Sequence, residues 1–75
     1  METRHYHEKA KGLLRAEIKR RNLNYEDLSK NLEAMGVKET PRNLSNKISR
    51  GGFSAAFFIQ CLEAIGCHTL RLEDA

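Results

Sequence analysis

The chain predicts an all-α fold, a compact bundle of four to five short helices, and three observations predict it. Apolar residues recur at helical spacing in four separate stretches, and short polar residues stand where three of those stretches begin. Gly36, Gly51 and Gly66 follow three of the stretches directly, in the place of a left-handed helix stop. Strand-like alternation is confined to Leu70 and Leu72, with no partner strand elsewhere, so they predict a short extended C-terminal tail. At 75 residues there is room for one domain, with a stability of about 4 to 11 kcal/mol.

Residues 1–7, carrying Arg4, His5, Tyr6 and His7, are expected to form a flexible arm, residues 8–72 the domain and residues 73–75 the C-terminal end. The first helix is expected over 8–21. Ala10, Leu13, Leu14 and Ile18 share one face, and Lys9, Lys11, Arg15, Lys19, Arg20 and Arg21 occupy the others beside Glu17. The cations of its last turn suit the negative end of the helix dipole as well as they suit phosphate. Asn22 and Asn24 break this helix, and Asn24 caps a second one running to Met35, with Leu23 and Leu28 at the spacing of a hydrophobic staple. Glu26 and Asp27 fall in its first turn, where acids are favoured. Tyr25, Leu28, Leu32 and Met35 form its expected buried stripe, and Val37 tucks back beyond the Gly36 stop.

The third helix, Pro41 to Arg50, has the clearest ends: Thr40 as cap, Pro41 at the first position and Gly51 as stop. Only Leu44 and Ile48 are apolar. Opposite them lies Asn46, flanked by Arg42, Ser49 and Arg50, a set of donors and acceptors suited to base edges and phosphates. Ser54 caps a fourth helix that runs to Ile65, with Phe53 stapled to Phe58. That helix is apolar on almost every side. Phe58, Leu62 and Ile65 are expected inward, leaving Phe57 with Leu70 and Leu72 for a homodimer interface.

Charge is distributed unevenly. Residues 1–50 hold twelve of the thirteen Lys and Arg against seven of the ten acids, a balance of +5, whereas residues 51–75 balance at −2. The positive part contains the third helix. Cys61 and Cys67 are too few for a disulfide framework and read as reduced thiols; with a polar N-terminus and no long apolar run, the expectation is a cytoplasmic protein without a membrane partner. His5, His7, Cys61, Cys67 and His68 match no common zinc spacing. No phosphate loop, nucleophile elbow or acid pair tied to a cleft is present, so neither an enzyme, a cofactor nor a small-molecule substrate is expected.

The segments KRRNLNYEDLSKNL, NLSNKISRG and FFIQCLEAIGC together resemble the lambda-repressor-like (Xre) helix-turn-helix superfamily over roughly residues 14–72, closest to a small uncharacterised bacterial and phage-borne set of such domains. The resemblance implies a helix-turn-helix core in which Arg42, Asn43, Ser45 and Asn46 face bases, while Asn24 and Tyr25 touch the phosphate backbone. Two departures stand out. The chain from Leu28 to Gly51 is several residues longer than that pattern, and Ile18 and Ser49 occupy the places of a usual Arg–Glu ion pair.

The resulting expectation is sequence-specific binding to double-stranded DNA by a small transcriptional regulator, a homodimer. Arg42, Asn43, Ser45 and Asn46 are its base readers, and Lys19, Asn24, Tyr25, Lys47 and Arg50 its phosphate ligands. The rival is a protein-interaction module, antitoxin-like or a phage-encoded adaptor, that uses helix 54–65 and the tail. Structured RNA is a weaker fit, for want of an exposed aromatic platform.

Overall fold

Three of the helices begin at a side-chain oxygen that takes up an orphan backbone N–H. Asn24 Oδ1 accepts from the amide of Asp27, Thr40 Oγ1 from that of Asn43 and Ser54 Oγ from that of Phe57. Asp27 returns the favour to the amide of Asn24, which completes a capping box. A computed structural model describes residues 3–74, in the order α1 (Thr3–Arg20), α2 (Tyr25–Ala34), α3 (Pro41–Arg50), α4 (Ala55–Ala64) and a final 3-10 turn (Leu72–Asp74). The fold is all-α.

The ends of α1, α2 and α4 share one device. The amides of Leu23, Val37 and Cys67 reach back to the carbonyls of Ile18, Leu32 and Leu62, five residues earlier, and the preceding residue, Asn22, Gly36 or Gly66, has a positive φ. Each apolar residue after the stop is thereby turned onto the core. Helix α3 ends differently, at Gly51, whose left-handed φ of 75° is matched to a close approach: a Cβ there would lie 2.8 Å from the carbonyl oxygen of His7.

Helices α3 and α4 each pack against both α1 and α2. Leu14 and Ile18, Leu28 and Leu32, Leu44 and Ile48, and Phe57 and Cys61 are the helical residues that meet in one core, joined by Ile65 and Cys67 beyond the end of α4. Among the described residues no helix is long and apolar enough to cross a membrane.

Several expectations need correction. Helix α1 starts at Thr3, so the arm expected over residues 1–7 is helical from its third residue, Met1 and Glu2 lying outside the described residues. Nothing from Thr3 to Glu8 breaks a helix, and the docking of His7 on Gly51 gives its first turns a support. Met35 is 42% exposed because α2 closes at Ala34 and Val37 fills the core in its place. Phe57, assigned to a dimer interface, is only 7% exposed and belongs to the core of its own chain. The inward stripe of α4 is Phe57, Cys61 and Ile65, with Phe58 and Leu62 half-buried beside it.

The tail is not a strand. Cys67 turns inward, Leu70 is half-buried against the core of its own chain, and Leu72 stands 62% exposed at the start of the 3-10 turn. The Ala75 end of the expected 73–75 segment lies outside the described residues.

Candidate functional site

Helix α3 buries a single seam. Leu44 and Ile48 are fully enclosed, Arg42, Asn43, Asn46, Ser49 and Arg50 are exposed, and Ser45 and Lys47 are half-buried at the margins of the seam. Three of the four expected base readers therefore lie open, and Ser45 sits at the edge.

Both ends of α3 are held by side chains from other helices. At its C-terminal end Lys11 Nζ donates to the Ser49 carbonyl at 3.3 Å and Arg15 Nη2 to Ser49 Oγ at 3.1 Å. The Arg15–Ser49 bond thus ties α1 to α3 through a hydroxyl and not through an ion pair. Ahead of the N-terminal end, Ser29 Oγ of α2 donates to the Glu39 carbonyl at 2.6 Å. Glu39 in turn pairs with Lys47, Oε2 to Nζ at 2.5 Å, and the ammonium lies 5.2 Å from the centroid of the Phe57 ring. Beneath them the Cys61 thiol is pushed up to about 12, by burial first and then by the nearby Glu39 charge, so it stays protonated and inert.

Lys19, Asn24 and Tyr25 form a second group. With Arg15, Ile18, Asn22 and Leu23 they line an open groove of about 400 Å3 at the α1–α2 junction. Lys19 is exposed and, among the described residues, in no ion pair. Asn24 is less available than expected, because its side-chain oxygen and its backbone N–H are both used by the capping box, which leaves only the amide nitrogen. Arg15, which lines the groove and also bonds to Ser49, joins this group to α3.

Two of the three cations at the end of α1 share one buried carboxylate. Glu17, 3% exposed, accepts from Arg20 at 2.5 Å and from Arg21 at 2.6 Å, and the Cys67 thiol lies 3.6 Å from its Oε1. The Arg21 hydrogen bond, against the opposing pull of burial and together with Arg20, holds the Glu17 carboxyl below the usual carboxylate range. Of the expected phosphate ligands, Lys19 and Arg50 are exposed and in no ion pair among the described residues, whereas Lys47 is committed to Glu39. Sequence reasoning missed Lys11, Arg15 and Glu39. Only the spacing of Lys11 and Arg15, one turn apart on α1, hinted at a shared target.

Among the described residues no three His, Cys, Asp or Glu side chains are grouped to hold a metal ion. A protein-family model described as a domain of unknown function (DUF6471) matches residues 6–70, from the first turns of α1 to Leu70. The chain belongs to this family. No curated protein and no solved structure matches it. The match covers α1 from its fourth residue and all of α2, α3 and α4, so α3 and the residues that hold it lie within the matched region.

Proposed function

We propose that this DUF6471 chain binds double-stranded DNA, with α2 and α3 arranged as a helix-turn-helix and α3 presented to the major groove, and that it acts as a small transcriptional regulator and not in catalysis. One observation carries the reading: α3 gives up only Leu44 and Ile48 to the core and leaves Arg42, Asn43, Asn46 and Arg50 exposed on a helix without an acid. An ordinary amphipathic surface helix also buries one apolar stripe; what favours nucleic acid here is that the exposed side carries Arg42 and Arg50 with amides and no acid. Glu39 is paired with Lys47, Glu8 with the Lys11 that also holds the Ser49 carbonyl, and the Asp27 carboxylate serves as a cap; Glu26 remains exposed and unfavourable. Arg42, Asn43 and Asn46 are the base readers of this proposal, with Ser45 at the edge, and Arg50, Lys19 and Tyr25 its phosphate ligands.

The test is selection of bound sequences from a random duplex pool, followed by affinity against salt. Enrichment of one motif with a steep fall of affinity in salt is expected, because each neutralised phosphate releases counterions. Absence of both binding and slope would leave the protein-interaction reading. That second reading has its own observation, Ile59, which is 54% exposed on α4 beside exposed Ala55 and Ala56. In the DNA reading this face is the contact between two copies, and a palindromic motif would accompany it.

A further inference from the structure

The link between α2 and α3 poses a problem for any role of α3 that depends on its exact placement. It runs from Met35 to Thr40, and a loop of that length gives no reason for α3 to sit in one position on α2. At α2 the hydrophobic staple places Leu23 just before the cap; at α3 the corresponding residue is Glu39, which is charged and yet has a side chain only 12% exposed. A carboxylate in such a place is tolerable only if paired. Its partner is Lys47, two turns along α3, while Ser29 of α2 holds the Glu39 carbonyl and Phe57 of α4 lies under the Lys47 ammonium. Glu39 is therefore gripped from α2 and α3 at once, with α4 as the floor.

We propose that the Glu39–Lys47 pair is the positioning device that sets where α3 begins and how it sits on α2, and that Lys47 serves this placement and contacts no phosphate. Its importance for DNA rests on the function proposed above; its structural half does not. Phosphate binding by Lys47 would strand the Glu39 carboxylate in a nearly closed site, so the pair stays together when α3 is engaged. The signs that follow are opposite to simple electrostatics. Glu39→Gln removes a negative charge beside α3, and charge alone would tighten binding to DNA; loss of placement weakens it instead.

The experiment uses the full chain with Glu39→Gln, Lys47→Met, the double variant and Lys47→Arg. Hydrogen exchange of the Asn43 and Leu44 amides, which bond to Thr40 in the first turn of α3, is expected to accelerate about tenfold in each single variant. The double variant is expected to show less than the product of the two effects, and Lys47→Arg to restore protection. On the selected duplex, Glu39→Gln and Lys47→Met are expected to weaken specific binding about tenfold at an unchanged salt slope. Tighter binding by Glu39→Gln with a slope steeper by about one would overturn the proposal, since Lys47 would then be a phosphate ligand that Glu39 restrains. Unchanged exchange in both single variants would overturn it as well. A wild-type chain that binds no duplex refutes the DNA reading alone, and the exchange measurements still decide the pair.

Discussion

At the scale of single residues, the exposed side chains of α3 and the buried ones beneath it make separable predictions. Asn46 is exposed and uncharged, so Asn46→Ala is expected to weaken binding to the selected duplex by about 1 to 3 kcal/mol and to leave non-specific duplex unaffected. Arg50→Ala is expected to weaken all duplexes alike and to reduce the magnitude of the salt slope by about one. Titrations at several salt concentrations check both, and equal losses on both DNAs for Asn46→Ala would remove it from the base readers. Glu17 makes a prediction about pH. Its folded-state carboxyl is held below the ordinary value of 4.5, so the stability it contributes is full above that value and disappears as pH falls through the depressed one. Arg20 and Arg21 are partly open to water and can be rehydrated, so Glu17→Gln is expected to cost only about 1 to 2 kcal/mol at pH 7. Thermal melts should show the gap between variant and wild type closing below pH 4.5. A gap that stays constant to lower pH would mean that the ion pair contributes nothing.

At the scale of elements, helix ends and helix faces are tested by paired substitutions that share chemistry and differ in surroundings. Gly36 and Gly51 both have positive φ, but a Cβ at Gly36 meets nothing within 4 Å, whereas one at Gly51 runs into the His7 backbone. Gly36→Ala is expected to cost about 1 kcal/mol from the left-handed conformation alone. Gly51→Ala should cost at least about 1 kcal/mol more, because α1 and α3 must separate, and the Arg15–Ser49 bond loosens with them. Equal costs in urea unfolding would show that the α1–α3 contact is soft. On α4 the pair is Phe57 and Phe58. Both rings touch Phe53, at centroid distances of 5.5 and 5.7 Å, but only Phe57 is buried. Phe57→Ala is expected to cost about 3 to 5 kcal/mol and Phe58→Ala about half of that, and the reverse order in denaturant midpoints would put the other face of α4 inward.

For the whole molecule, the open question is what meets the outer face of α4. Within its own chain the tail forms no strand: Leu70 packs on the core and residues Leu72–Asp74 form a 3-10 turn. Ile59, one turn after exposed Ala55 and Ala56, and Leu72 are the large apolar groups exposed in the last third of the chain among the described residues. The expected outcome is a dimer at high micromolar concentration in light scattering, reduced to a monomer by Ile59→Lys without loss of helix content. A wild-type monomer at that concentration would leave α3 to act as a single half-site binder, with a non-palindromic motif.

Sequence alone determined the local events, because these depend on neighbours a few residues away. Asn24, Thr40 and Ser54 cap the helices they precede, Gly51 stops α3, Val37 folds back after Gly36, and α3 presents the polar face that its two apolar residues imply. Only the tertiary structure decided which side of α4 is core, since a helix apolar all round carries no phase, and the choice of Phe57 over Phe58 depends on what α2, α3 and α1 leave open. The same holds for the cations. Lys47 and Lys19 are indistinguishable as letters on basic helices, yet one is bound to Glu39 above an aromatic ring and the other faces solvent, and that difference arises from contacts between residues distant in the chain or on different helices.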